Sequence, residues 1–197
     1  MSPSYGGAWT LGAEQDQFDI EEKRCVLPMN IRAIRESDSE QFLHLGKSLD
    51  QETQLMMLEP GERTLTIEEQ GQRIKSLLSQ DNQMIFVAEQ ENRLVGFLGA
   101  YGGGFQRNRH CAYIVIGVLQ DYVGQGIGKQ LFETLDTWAM DHKLHRLELT
   151  VMCHNERAIH LYQKMGFKTE GIKQDSLWVK GRYVDEYYMA KVLNQNK

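Results

Sequence analysis

Two stretches of this chain carry residue types that could do chemistry. Asp121-Tyr122-Val123-Gly124-Gln125-Gly126-Ile127-Gly128-Lys129 runs straight into an apolar-periodic helix, and Asn155-Glu156-Arg157-Ala158-Ile159-His160-Leu161-Tyr162-Gln163-Lys164-Met165-Gly166-Phe167 follows about one strand later. In the first, successive backbone N–H groups meet at a helix N-terminus. The helix dipole is positive there and the amides lack internal partners, so the segment can hold an anion such as a pyrophosphate. In the second, Tyr162 carries a phenol that is protonated at neutral pH and can give its proton to a leaving thiolate.

Glycine turns before helices serve several nucleotide-binding folds, and spacing separates them. A dinucleotide-binding fingerprint needs a third glycine at position 129, which is Lys129. A Walker loop needs glycine at 123 and Ser or Thr at 130, which are Val123 and Gln130. Taken together, the two segments resemble the cofactor-binding motif and the following helix motif of the GNAT superfamily of N-acetyltransferases, over roughly Met29 to Leu193. The family's Arg/Gln-x-x-Gly-x-Gly/Ala pattern maps onto Val123, Gly126 and Gly128. Val123 departs from it, leaving the backbone amides from Gly124 to Lys129 to carry the anion, with the Lys129 side chain as a further cation. The helix motif has its Asn, its Arg-Ala-Ile run, its Tyr and its closing Gly-Phe in register. Within the superfamily the chain looks most similar to the bacterial branch around ribosomal-protein and diamine N-acetyltransferases.

The resemblance implies an α/β (α+β) fold: a mixed, mostly antiparallel sheet of about seven strands with about four helices, the fourth and fifth strands splayed for the cofactor. It implies acetyl-CoA as co-substrate, held by Gly124, Gln125, Gly126, Ile127, Gly128 and Lys129, with Asn155 on the pantetheine amide. A backbone N–H near Val118 would donate to the thioester carbonyl, and Tyr162 would serve the departing sulfur. The implied reaction is direct attack by a primary amine, the acceptor being a small amine, a polyamine or a protein N-terminus. Asn155 can equally cap its helix, since Asn is favoured there. The general base stays open among His110, Tyr113, Glu148, Asp185, Glu186 and water. An alternative, fed by Val123, is a non-catalytic sensory or regulatory module that binds acetyl-CoA.

Composition narrows the partners. The 197 residues are 41% hydrophobic and 25% charged, which is ordinary for one globular core. A net charge of −5 argues against nonspecific nucleic-acid binding, which needs basic patches to displace counterions. No apolar run approaches bilayer length. An amine-bearing acceptor is the expected partner, with neither nucleic acid nor membrane, and a homodimer is left open. Three scattered cysteines, Cys25, Cys111 and Cys153, form no CxxC pair and suit a reducing cytoplasm. Cys111 and Cys153 read as small core residues, and His154 beside Cys153 lacks the partners a metal would need. Residues 1–28, rich in Gly, Ser, Gln and acids, lack periodicity and a secretory pattern; they are expected to be a flexible extension ahead of a domain spanning 29–197.

The elements that must position these residues can be drafted from pattern. Asn30 to Arg35 reads as a first strand. Ser37-Asp38-Ser39-Glu40 has capping-box form before a first helix, and Thr66-Ile67-Glu68-Glu69 opens a second with Ile74, Leu77 and Leu78 on its buried face. The segment from Asp50 to Leu65 reads as a mobile cover over an edge of the site or as a satellite core under a loop. Met84–Glu89 and Leu94–Gly99 flank a hairpin turn. Cys111 to Leu119 is almost continuously apolar, as in a central strand buried on both faces, and Gly117 inside it suggests a bulge or a close backbone approach. Ile127, Leu131, Leu135 and Trp138 recur at helical spacing, Arg146 to Val151 alternates as a strand, and Asp175–Val179 with Tyr183–Met189 forms a terminal hairpin.

Overall fold

The structure is a computed structural model describing residues 29–193; the 1–28 extension lies outside the described residues. Seven strands, β1 (Asn30–Ala33), β2 (Met84–Gln90), β3 (Arg93–Gly102), β4 (Cys111–Val118), β5 (Arg146–Met152), β6 (Lys168–Val179) and β7 (Arg182–Val192), form one sheet in the order β1-β2-β3-β4-β5-β7-β6. Every neighbouring pair is antiparallel except β4 and β5. Four α-helices accompany it: α1 (Ser39–Glu52), α2 (Ile67–Leu78), α3 (Ile127–Asp141) and α4 (Glu156–Lys164).

Local chemistry explains most boundaries. Glu91 and Asn92 both have positive φ, 52° and 60°, the two-residue turn whose twist matches paired strands. Thr66 caps α2, its Oγ1 accepting from Glu69 N–H at 3.2 Å while the Glu69 carboxylate takes the Thr66 N–H at 2.8 Å. The first helix begins differently from the drafted capping box. A 3₁₀ turn over Glu36–Asp38 precedes α1, and the Asp38 carboxylate reaches back to the Arg35 N–H at 2.7 Å and to both terminal nitrogens of Arg32. A buried carboxylate takes the strongest donors in reach, so Asp38, not Ser37, organises the turn.

Adjacent strand residues point to opposite faces. A Cβ on Gly117 would meet Leu49 of α1 at 2.7 Å, whereas Ile116 lies 3.8 Å from a Cβ on Gly128 of α3, so α1 and α3 cover opposite faces of the sheet. Helix α4 lies beside α3, Phe132 meeting Tyr162 edge-on with ring centroids 5.8 Å apart. Leu131, Phe132 and Leu135 are fully buried, each contributing roughly 1.5–3 kcal/mol of apolar burial. The α1–α2 connection is pinned, because Arg63 forks onto buried Asp50 at 2.7 and 3.0 Å and Met56 packs on the core. That matches the satellite-core alternative.

Three expectations are corrected. Strand β4 is not buried along the whole of both faces: Ala112 and Ile114 are buried on the α3 face, whereas on the other Tyr113 is exposed and Val115 half-buried before Leu49 of α1 covers the strand at Gly117. Gly117 marks no bulge: the β3–β4 register runs unbroken through Phe97↔Gly117, and the missing side chain instead makes room for Leu49. Strand β6 starts at Lys168, seven residues before Asp175, directly after the helix motif.

Candidate active site

The parallel ladder between β4 and β5 is short. It pairs Cys111↔Arg146, Ala112↔Leu147 and Tyr113↔Glu148, and the strands then part. Leu119 N–H bonds Val95 C=O at 2.9 Å and Gly103 N–H bonds Cys111 C=O at 3.0 Å, so odd-numbered β4 residues bond to β3. Even-numbered positions face β5: the His110 carbonyl accepts from Arg146 N–H at 3.1 Å. Ile116 and Val118 therefore direct their backbone groups into the opening, past the last β4–β5 pair. The Val118 amide faces this opening because the strands part there, and not because of a bulge.

The glycine turn lies at the same end of β4. Gly124 and Gly126 have φ of 86° and 81°, and Gly126 is the N-cap of α3. The first intrahelical bond runs from Gln130 N–H to Gly126 C=O at 3.1 Å, which leaves the N–H groups of Ile127, Gly128 and Lys129 without helical partners. Among the described residues a Cβ built on Gly126 meets nothing within 4 Å, so they leave the ground beside these amides open to a ligand. Gln125 braces the turn through Nε2 to Asp121 C=O at 3.1 Å, and Ile127 is buried in the core. The Lys129 ammonium pairs along its own helix with Glu133 at 3.0 Å, leaving its backbone N–H as its part in the turn. Arg157, which sequence reasoning did not single out, brings a guanidinium nitrogen to 3.9 Å from a Cβ on Gly124. It is the second residue of α4, where composition alone reads it as a solvated charge.

Helix α4 fixes Tyr162 from both ends. Asn155 is the cap, its Oδ1 accepting the Ala158 N–H at 3.2 Å. At the other end Gly166, with φ of 90°, lets Phe167 N–H reach Tyr162 C=O at 2.9 Å and Gly166 N–H reach Gln163 C=O at 3.0 Å, the paired bonds of a Schellman ending. The Tyr162 ring is clamped by Phe132 and Phe167, and its hydroxyl hydrogen-bonds to no described residue. Burial, and secondarily the neighbouring Tyr113 hydroxyl, push its phenol well above the usual value, so it stays protonated.

On the opposite face of the split, Tyr113 reaches across to β5. Its hydroxyl lies 2.7 Å from Thr150 Oγ1 and accepts the Thr150 N–H at 3.3 Å, replacing the strand partner that β4 no longer supplies. Behind Thr150, Glu186 is 4% exposed and accepts from Lys173 Nζ and Ser176 Oγ, each at 3.0 Å. Burial alone would push its carboxyl up, but the polar neighbourhood of Thr150 and the hydrogen bonds from Lys173 and Ser176 outweigh it and hold it below the ordinary range. The irregular β6 register between Lys173 and Leu177 is what wraps these donors around it. The other base candidates are less well placed. His110 sits at the paired end of β4, near His145. Glu148 is held by Arg146 Nε at 2.8 Å, and Asp185 accepts the Asp175 N–H at 2.9 Å.

A cavity of about 870 Å³ lined by Cys153, Arg157, His160 and Tyr187 lies between α4 and the β6–β7 pair. Cys153 is half-buried at the cavity wall and not part of the core as expected; burial, then Asp185 and Glu186, raise its thiol, which disfavours the nucleophilic thiolate. Among the described residues no group of three or more His, Cys, Asp or Glu gathers as a metal site, and no helix is long and apolar enough to cross a membrane.

Comparison with known proteins agrees with this geometry. The profile of the acetyltransferase (GNAT) family matches residues 33–167. Over 90 residues the chain is 36% identical to the L-amino acid N-acetyltransferase AaaT of Escherichia coli (strain K12), covering 44% of this chain and 54% of that enzyme. The chain spans about half the length of the curated relatives it matches. Its fold superimposes on the acetyltransferase of the GNAT family from Streptococcus pneumoniae with a TM-score of 0.82 at 28% identity, covering 85% of this chain and 100% of that one. It also matches yncA from Salmonella typhimurium, solved with its cofactor acetyl-CoA, at a TM-score of 0.76 and 18% identity over 85% of this chain and 95% of that one, a likeness of fold.

Proposed function

The chain belongs to the acetyltransferase (GNAT) family, and from that premise we propose that it moves an acetyl group from acetyl-CoA to a primary amine by direct attack. The observation that carries the reading is the early end of the β4–β5 ladder after Tyr113↔Glu148, beside a glycine turn with free amides. The acyl donor brings an activated thioester; everything else is the protein's work. The amides from Gly124 to Lys129 hold the pyrophosphate, and Arg157 supplies the side-chain cation that Val123 does not. That substitution answers the feature behind the non-catalytic alternative. Asn155, with its oxygen committed to the cap, keeps its amide N–H₂ for the pantetheine arm.

At the split, the Val118 N–H donates to the carbonyl oxygen as it gains charge. Tyr162, held rigid and protonated, donates to the departing sulfur, which as a thiolate of ordinary pKa near 8.5 needs only modest help. All of these groups come from one chain, so the site is complete in a monomer and a homodimer would leave it intact. The acceptor is an amine, with an amino acid, polyamine or protein N-terminus as the classes to screen. A cytoplasmic setting, and a domain spanning 29–197 preceded by an extension, belong to the same proposal.

Isothermal titration with acetyl-CoA, followed by free-thiol release over a panel of amines, tests the reading. Wild-type protein should bind acetyl-CoA and release thiol with at least one amine class. Arg157→Ala should weaken binding about tenfold, the value of one hydrogen bond to a charged group. Absence of acetyl-CoA binding would overturn the proposal.

A further inference from the structure

We propose that Tyr101, folded over Gly99 beside the strand split, is the specificity residue of the acceptor site and selects a primary amine whose amine-bearing carbon carries an apolar group. The inference rests on the acetyl-transfer reading above and deepens it.

The two faces of the sheet divide the substrates. Ile116 lies beside Gly128 of α3, so the glycine turn and the donor it holds belong to the α3 face, where Phe132 packs against Tyr162 and Phe167. An amine that attacks a thioester in the split therefore arrives from the other face, which carries Tyr113, Val115 and Gly117 of β4. Leu49 of α1 covers that face at Gly117, but the cover stops short of half-buried Val115 and exposed Tyr113. Position 115 is also the first on this face past the last β4–β5 pair, Tyr113↔Glu148.

Strand β3 supplies the other border of this uncovered ground. Tyr101↔Tyr113, Gly99↔Val115 and Phe97↔Gly117 are opposed pairs, so Tyr101 and Gly99 share the face of Tyr113 and Val115. A Cβ on Gly99 would meet the Tyr101 hydroxyl oxygen at 2.7 Å and two of its ring carbons at 2.8 Å. The ring thus folds back two residues along its own strand and lies over Gly99, level with Val115. A strand glycine forfeits packing of its own, and here the space it leaves seats a ring. Gly99 is buried beneath Tyr101, yet Tyr101 itself is 37% exposed. Neighbouring strands lie about 4.8 Å apart, so the ring stands about one strand spacing from β4, whose far edge is the opening. With the amine nitrogen at the split, the carbon beside it reaches a floor made of Val115 and the two tyrosine rings. Apolar surface covered on that floor is worth about fourfold in affinity per methylene, whereas a polar substituent gains nothing there. Tyr101 contacts the acceptor, and Gly99 is a positioning residue that acts through it.

The experiment uses the full chain, acetyl-CoA, and a primary amine that supports thiol release, with its homologues carrying a methyl, ethyl or propyl group on the amine-bearing carbon. In wild type, kcat/KM should rise about fourfold per added carbon, chiefly through KM. Tyr101→Ala should flatten that rise, so that the propyl homologue loses more than about tenfold while acetyl-CoA affinity holds. Tyr101→Phe keeps the ring and should keep the rise. The atoms nearest the new methyl of Gly99→Ala are the far end of Tyr101, so the ring gives way and the rise flattens again. Added to Tyr101→Ala, the same change should do nothing more. A flat wild-type series overturns the selection, as does a wild-type rise in Tyr101→Ala. So does a further loss when Gly99→Ala joins Tyr101→Ala, which would place the effect in the sheet. If Gly99→Ala fails to fold, the contrast between Tyr101→Ala and Tyr101→Phe decides alone. A wild-type protein that does not bind acetyl-CoA refutes the underlying acetyl-transfer reading instead, a result distinct from any of these.

Discussion

Replacing Gly126 with alanine separates what the glycine turn does for the fold from what it does for a ligand. Gly126 has φ of 81°, and a Cβ there meets no atom of the described residues within 4 Å, so the methyl itself clashes with none of them. The penalty is the left-handed backbone, about 1–2 kcal/mol for an L-residue, partly offset by about 0.4–1 kcal/mol from a stiffer unfolded chain. A net loss of about 1 kcal/mol lowers Tm by roughly 2–4 °C in a domain of this size. Binding should suffer more. The methyl would occupy the open ground beside the turn, and each charged hydrogen bond forfeited by a displaced pyrophosphate is worth about 1.5–3 kcal/mol. Acetyl-CoA affinity should therefore fall by about 10- to 100-fold.

Gly181 provides the control. Its φ is 80° and its Cβ direction is equally empty, yet it sits in the β6–β7 turn. Gly181→Ala should show a similar Tm loss with acetyl-CoA affinity unchanged. Calorimetric titration and thermal unfolding on the same three proteins give both readouts. If Gly126→Ala loses stability like Gly181→Ala but binds acetyl-CoA like wild type, the open ground above the turn is not where the pyrophosphate sits, and the anion assignment fails.

Other outcomes follow from the same structure. Tyr162→Phe should fold and bind acetyl-CoA normally while single-turnover rates drop roughly 100-fold; a wild-type chemical rate would reduce Tyr162 to packing between Phe132 and Phe167. Arg63→Ala strands the Asp50 carboxylate, 2% exposed, with no cation, which costs about 3–5 kcal/mol and should lower Tm by roughly 10 °C. In that background Asp50→Leu should recover stability, and no recovery would mean that Arg63 acts through packing. Burial alone would raise the carboxyl of Asp38, but Arg32 and the Arg35 N–H outweigh it and hold it below its usual value. Its stabilising contribution is thus present above the unfolded carboxylate pKa near 4 and fades as pH falls through that range and below. Thermal melts from pH 7 to 3 should show Tm dropping on the acid side less steeply in Asp38→Asn, and an equal slope would remove Asp38 from the acid sensitivity.

What could be read from the sequence, and what could not, divides along the distance over which each feature is determined. The α4 motif was legible because its logic is local: the Asn155 cap, the Gly166 left-handed residue and the Phe167 contact with Tyr162 all lie within thirteen consecutive positions, Asn155 through Phe167. The glycine turn was legible for the same reason. Gly117 was not, since a strand glycine can mean a bulge or a close approach, and only the position of Leu49 across the sheet decides between them. The splay of β4 from β5 came from family resemblance, because nothing in either strand's own residues states where a partner stops pairing.

The mouth of the split is the extreme case. Tyr113 and Glu186 stood among several equal candidates, and Thr150 looked like one more alternating strand residue. What links them is register: β5 beside β7 brings Thr150 diagonal to Glu186, and the last β4–β5 pair, Tyr113↔Glu148, leaves Thr150 without a backbone partner for its N–H. A backbone donor deprived of a strand neighbour takes the nearest acceptor, and Tyr113, two residues back on the partner strand, has an oxygen long enough in reach to supply it. The same departure of strands that opens the site to the thioester thus draws a hydroxyl into its mouth. Ending the ladder one pair later would close the opening and satisfy Thr150 from β4, and Tyr113 would lose its reason to point there. The opening and the Tyr113–Thr150 contact at its mouth are two consequences of one broken ladder.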